Sequence, residues 1–158
     1  MNRTTFNTKL GTMMLAESQE GLVGAWFLGQ RYFPKEAESW TRKRSQLLTE
    51  AKNQVLAYFS QELEDFDLPL ARTGTDFQRA VWKHLRAIPY GQLSSYGKIA
   101  QLLSRASAAR AVAMATSRNP WSVIIPCHRV LAGNGDLAGF AGGLWRKRWL
   151  LQMERNVQ

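Results

Sequence analysis

The sequence predicts an α+β fold: a small N-terminal antiparallel three-stranded sheet with one helix, then a mostly helical C-terminal domain holding a helix-turn-helix of winged-helix-like form. Three observations point there. Short apolar runs broken by Gly11 and by Ser18-Gln19-Glu20-Gly21 occupy residues 4–28, the pattern of a β-meander. An amphipathic helical period follows over residues 45–62. Beyond a stretch at 65–74 that carries Pro69 and Gly74, the remaining patterns are those of short helices.

In order, residues 4–10, 12–16 and 22–28 are the three strands, with the second turn at 17–21. Residues 29–44 are aromatic and basic without a period and are read as loop and short helix. Leu48, Ala51, Val55, Tyr58 and Phe59 recur at helical spacing, so a helix runs from about Ser45 to near Glu62. The acids at 62–67 read as solvated surface. The link at 65–74 separates a domain at 1–70 from one at 71–158.

The second domain opens with Thr75-Asp76-Phe77-Gln78, a capping box in which hydroxyl and amide satisfy backbone donors at a helix start. Phe77, Val81, Leu85 and Ile88 form its apolar face, and Pro89-Tyr90-Gly91 end it; His84 near that face reads as a packing histidine. Ser94 or Ser95 caps a helix bearing Ile99, Leu102 and Leu103. Ser104-Arg105-Ala106 turn the chain, and Ser107 caps a second helix over 108–116. That helix is nearly all small, with Ala108, Ala109, Ala111, Ala113 and Ala115 around one long cation, Arg110. So little bulk permits close approach, either to a DNA groove or to a tightly packed core. Gly133, Gly135, Gly139, Gly142 and Gly143 then mark a loop whose backbone turns sharply or meets a ligand. It is not a phosphate loop, because the Gly-Lys-Ser/Thr ending is missing. Residues 144–153 form a last helix in which Trp145 and Trp149 read as packing residues.

Charge narrows the partners. Lys and Arg number 21 against 12 Asp and Glu, a formal +9, which favours a polyanion, nucleic acid before anionic membrane. One cysteine among 158 residues allows no intramolecular disulfide and suits a reducing cytoplasm. No apolar run has signal-peptide or membrane-spanning form, so a soluble cytoplasmic protein with no membrane partner is expected.

That one cysteine, Cys127, follows the rigid Pro126 and precedes His128. A thiol beside an imidazole is a candidate nucleophile with its base; the alternative is a small buried hydrophobe. Neighbours on an extended strand point to opposite faces, so the pair needs a turn after Pro126 or a bridging water to cooperate.

Asn119-Pro120, Ile125-Pro126-Cys127-His128-Arg129-Val130 and Gly139-Phe140-Ala141-Gly142-Gly143-Leu144 together resemble the signature of the O6-alkylguanine-DNA alkyltransferases, the methylated-DNA–protein-cysteine methyltransferases. The resemblance extends back through Ala109-Arg110-Ala111-Val112, Ser95-Tyr96-Gly97-Lys98-Ile99-Ala100 and Gly74-Thr75-Asp76-Phe77-Gln78. It is dense over half the chain; the first 70 residues match in general layout only.

The resemblance implies direct reversal of DNA damage. Cys127 takes the alkyl group from O6 of a flipped-out guanine, once per molecule and without a cofactor or metal; O4-alkylthymine is left open as a second substrate. His128 accepts the thiol proton through a water, Glu154 orients His128, Tyr96 donates to the base ring, and Asn119 supports the turn. The partner implied is double-stranded DNA carrying O6-alkylguanine, bound in the minor groove by a monomer, with self-association on DNA left open. Arg110 fills the gap in the stack, with Ser95, Ala109, Ala113 and Arg129 as further DNA contacts. Val130, Ser122, Gly139, Phe140 and Ala141 form the base pocket. Several positions depart from relatives: Ala113 stands where many have glycine, Ser122 where some have proline, Ala141 where some have serine, and Phe140 where others have tyrosine. The competing readings are a damage-binding protein that transfers nothing and a helix-turn-helix regulator with an inert thiol. The first is disfavoured because such relatives lack the cysteine, the second because it leaves the Asn-Pro and glycine-loop matches unexplained.

Overall fold

The computed structural model describes residues 1–137 and 139–155. The chain divides into two compact units, Met1–Thr73 with Pro120–Ile124, and Gly74–Asn119 with the chain from Ile125 onward.

In the first unit, β1 (Asn2–Thr8), β2 (Gly11–Ser18) and β3 (Gly21–Phe27) pair antiparallel in sequence order, as the meander pattern predicts. The sheet is nevertheless four-stranded. β4 (Thr41–Arg42) adds to the free edge of β1 in parallel, with Arg3 opposite Arg42. Two residues are too few for an alternation to register, which is why 29–44 reads as loop.

α1 (Gln46–Phe59) is capped by Ser45, whose Oγ accepts from the Leu48 N–H at 3.0 Å. It stops short of Glu62, and Gln61 takes a left-handed φ of 63°. α1 packs on the sheet with Leu48, Ala51, Val55, Tyr58 and Phe59 buried. On the sheet, Met14, Ala16 and Trp26 gather with Ala37 and Trp40 from the aromatic loop. Met13 and Leu15, which alternate with them on β2, are equally buried, so both faces of the sheet are covered.

Two further segments lie along β3. Leu22 N–H donates to the Pro69 carbonyl and Ala71 N–H to the Leu22 carbonyl, both at 2.8 Å. Gly21 is required there: its φ is +136° and a Cβ would stand 2.7 Å from the Pro69 oxygen. Ala25 N–H donates to the Pro120 carbonyl at 2.8 Å, and Ser122 N–H to the Ala25 carbonyl at 3.0 Å. Val123 in this segment is buried with φ 75°, a conformation that costs a β-branched residue on the order of 1–3 kcal/mol and persists only where its surroundings over-determine it.

The second unit begins with α2 (Asp76–Arg86), whose Thr75 and Gln78 form both bonds of the expected capping box. α2 ends at Ala87, ahead of Pro89, and buries Val81, Trp82 and Leu85; Phe77 and His84 are half-buried. Next come β5 (Ser94–Ser95), α3 (Tyr96–Leu102) and α4 (Ala109–Ser117). Ser95 is the residue that caps α3, accepting from the Lys98 N–H at 3.1 Å. Ser107 does not cap α4. It sits inside a 3-10 turn, Ala106–Ala108, that leads directly into the helix, so the start rests on a tightened backbone turn. α4 packs on α2 and α3, and the Trp82 indole N–H donates to the Ala115 carbonyl at 2.8 Å.

β6 (Val130–Leu131) pairs in parallel with β5, Ser94 opposite Val130 and Ser95 opposite Leu131. α5 (Leu144–Arg155) closes the unit, burying Lys147, Leu150, Met153 and Glu154. Trp145 is not a packing residue: it is 56% exposed, with the Arg146 guanidinium 4.5 Å from its ring centre. Trp149 is half-buried.

Candidate active site

Pro126 makes the turn on which the site is built. Its φ of −77° and ψ of 65° are those of an inverse γ-turn, closed by the Cys127 N–H on the Ile125 carbonyl at 2.7 Å. A 3-10 turn, Cys127–Arg129, follows, with the Arg129 N–H on the Pro126 carbonyl at 3.0 Å. Cys127 and His128 are thus released from the strand alternation that would have separated them. The Asn119 amide holds the turn from behind, its Nδ2 donating to the Ile125 carbonyl at 2.9 Å.

Cys127, His128 and Glu154 are all buried. His128 Nε2 lies 2.7 Å from Glu154 Oε2. A carboxylate can only accept, so Nε2 carries the proton and Nδ1 keeps the basic lone pair. Burial lowers the imidazole pKa; the hydrogen bond and charge of Glu154 oppose that shift, while Arg129 and Lys147 add to it. His128 is therefore neutral at neutral pH and available as a base. Burial works against charge on Glu154, yet the bonds and charges of His128 and Arg129 outweigh it and hold the carboxyl well below the usual range.

The thiol is pushed up by burial, against the Asn119 side chain hydrogen-bonded to it and the positive charge of Lys147. Cys127 rests as a thiol and needs a base before it can attack. Tyr96 belongs to the same cluster. Its phenol is raised by burial and by the charge of Cys127, and its Oη would lie 3.8 Å from a Cβ on Gly139. The β5–β6 pairing brings it there, since it sets Ser95, the residue before Tyr96, beside the strand that leaves the cysteine turn.

Of the expected pocket residues, Val130 is fully buried, Gly139 takes φ 64°, and Phe140 stands edge-on to the His128 ring with centres 6.4 Å apart. Ala141 is half-buried in the same loop. Ser122 lies in the segment Pro120–Ile124. It is buried in the first unit with its Oγ 3.2 Å from Gln30 Oε1. Arg129, expected as a DNA contact, is instead 4% exposed and committed inward. Its Nε and Nη2 donate to the two oxygens of Glu154 at 2.8 and 3.0 Å, and its Nη1 donates to the Ile88 carbonyl at 2.7 Å. On α4, Arg110 is exposed, Ala109 and Ala113 are half-buried, and Met114 is 67% exposed.

Lys147 is the residue that sequence reasoning missed. It is fully buried, its Nζ donates to the Val130 carbonyl at 2.6 Å and the Gly139 carbonyl at 3.0 Å, and burial brings its pKa down to about 8 against the pull of Cys127. Within Arg146-Lys147-Arg148 it looks like one more solvated cation. The available signal was its i, i+3, i+7 spacing with Leu150 and Glu154, which places it on the buried face of α5.

These features define a class: an α+β protein whose helical unit holds one buried thiol beside an oriented, neutral imidazole, and exposes a small-residue helix with a single projecting cation. Residues 1–72 match the 6-O-methylguanine DNA methyltransferase ribonuclease-like domain, and residues 76–156 the DNA binding domain of the same name. The chain belongs to the methylated-DNA–protein-cysteine methyltransferase family. It is 42% identical to the family's protein from Methanosarcina acetivorans over 94% of this chain and 95% of that one. The relative from Mycobacterium bovis is also 42% identical, over 96% and 91% of the two chains. The crystal structure of Mycobacterium tuberculosis OGT in complex with DNA superposes with a TM-score of 0.90 at 40% identity, covering 99% of this chain and 94% of that chain.

The buried Glu154 network makes a stability prediction. Glu154→Gln leaves Arg129 charged and uncompensated, at a cost of about 3–5 kcal/mol. Adding Arg129→Met recovers part of that loss, measured by urea denaturation at neutral pH. Because the folded carboxyl pKa is depressed, its stabilisation is complete above the unfolded value of about 4.3 and is lost as pH falls below it. Glu154→Gln lacks that part of the acid dependence, and an unchanged acid profile would contradict the charge assignment.

Proposed function

We propose that this chain repairs alkylated DNA by direct reversal, moving the alkyl group from O6 of a flipped-out guanine to Cys127 once per molecule. The observation that carries this is the buried Cys127 beside His128, whose Nε2 proton is fixed by Glu154. His128 takes the thiol proton through a water. Sγ then attacks the alkyl carbon in line, the S–C bond forms as the C–O6 bond breaks, and the electron pair returns to guanine, which takes up a proton. Tyr96 donates to the base ring, and the charge of Lys147 favours the thiolate as it develops. Guanine is restored and S-alkylcysteine remains.

A base inside a duplex cannot reach a buried thiol, so the nucleotide leaves the stack at a cost of a few kcal/mol. α4 approaches the minor groove with its small face, Arg110 occupies the vacated space, and the exposed Met114 adds an apolar contact. The formal +9 charge supplies phosphate attraction without reading sequence. Among the described residues no helix is long and apolar enough to cross a membrane. The reducing cytoplasm is the compartment in which Cys127 stays a free thiol.

Intact mass after mixing with a duplex containing one O6-methylguanine tests the reading. The wild type gains one methyl group per protein and Cys127→Ser gains none; tight binding without a gain would favour damage sensing instead. Transfer from the free modified base holds its rate as pH falls through the ordinary histidine value of about 6.5 and declines only below it, because burial lowers the His128 pKa. A midpoint above that value would remove His128 as the base. Arg110→Ala slows repair in duplex DNA more than transfer from the free base, and equal losses on both would eliminate the stack-filling role.

A further inference from the structure

The edge of the N-terminal sheet carries a cationic depression that the alkyl-transfer chemistry does not use. Arg3, Thr4 and Thr5 of β1 and Arg42, Lys43 and Arg44 at and after β4 line a cavity of about 250 Å³. Arg3 and Arg42 are directly paired in the parallel ladder, so their side chains leave the sheet on the same face. The Lys43 N–H on the Arg3 carbonyl at 3.1 Å and the Arg3 Nε on the Trp40 carbonyl at 3.3 Å tie the two segments together.

Among the described residues no carboxylate lines the depression. Glu17 nearby is 9% exposed, accepting from Asn2 Nδ2 at 3.2 Å and Ser45 Oγ at 2.7 Å. Basic residues on an edge strand also deter strand-to-strand association, and Arg42 fits that purpose. Edge protection does not account for Arg3, which is half-buried on an interior strand, or for two threonines in a concave lining.

We propose that this depression is a second nucleic-acid contact, in which Arg3, Arg42, Lys43 and Arg44 receive backbone phosphates of duplex DNA independently of α4. The volume lies below the roughly 300–1,000 Å³ of pockets that enclose a small-molecule ligand, so it suits phosphates passing along a surface rather than an engulfed nucleotide. Cations and hydroxyls read the phosphate backbone without regard to sequence, which suits a protein that must search undamaged DNA. The inference rests on the repair reading only in naming DNA as the polyanion.

The test compares the wild type, the triple variant Arg42→Gln/Lys43→Gln/Arg44→Gln, and a charge-matched control, Arg31→Gln/Lys35→Gln/Lys52→Gln. Each is titrated with undamaged duplex DNA over a range of salt, and with vesicles of phosphatidylglycerol and phosphatidylcholine. Transfer from the free modified base stays at the wild-type rate in all three, which verifies folding. The triple variant alone loses duplex affinity, and its slope of log K against log salt becomes shallower by about 0.9 for each phosphate contact removed. A slope equal to the wild type's, or an equal loss in the control, overturns the contact. Weakened vesicle binding with unchanged duplex binding overturns it in favour of a membrane surface. A wild type that binds no duplex at all overturns the repair reading and this contact together.

Discussion

Glu154 is the group on which the helical unit and its chemistry both depend. One buried carboxylate from the end of α5 receives two bonds from the Arg129 guanidinium and orients the His128 ring, and one of its oxygens lies 3.3 Å from the Gly91 N–H. A lone buried anion would protonate; here two partners outweigh its desolvation and keep it charged. The same bonds join the last helix to the cysteine turn and to the end of the loop after α2. Structure and reactivity therefore share one ion cluster, and Arg129 serves it from within rather than reaching toward a ligand.

Opposing influences act on the thiol. Burial raises the pKa of Cys127, which keeps the thiol protonated at rest. Asn119 and Lys147 pull the other way, and Lys147 is held at the site by the Val130 and Gly139 carbonyls. A lysine whose pKa is near 8 remains mostly charged at neutral pH, so it can meet the negative charge that develops on sulfur. Gly139 acts through its backbone. Its left-handed conformation presents a carbonyl to Lys147.

Local patterns were legible where the physics is local. The capping box at Thr75, the Ser95 cap, the three-stranded meander and the apolar face of α1 all follow from short-range hydrogen bonding and periodicity. Local rules failed where a partner distant in sequence decides. β4 exists because β1 offers it an edge, Ser107 lies inside a 3-10 turn instead of at a helix cap, and Trp145 has helical spacing yet no core to enter.

At the site the division is similar. The sequence by itself determined the candidate reactive groups, because a lone thiol after Pro126, the adjoining imidazole and the surrounding motif are properties of contiguous residues. The resemblance that this motif carries added Glu154, Tyr96 and Asn119 as candidates. Only the tertiary structure decided which charges face inward. Arg129 and Lys147 read as surface cations in a basic chain, and a residue's burial depends on elements brought together from far along the sequence. The parallel pairing of β5 with β6 and the packing of α5 on the cysteine turn supply those elements. They turn one cation into the partner of Glu154 and the other into the charge beside the thiol.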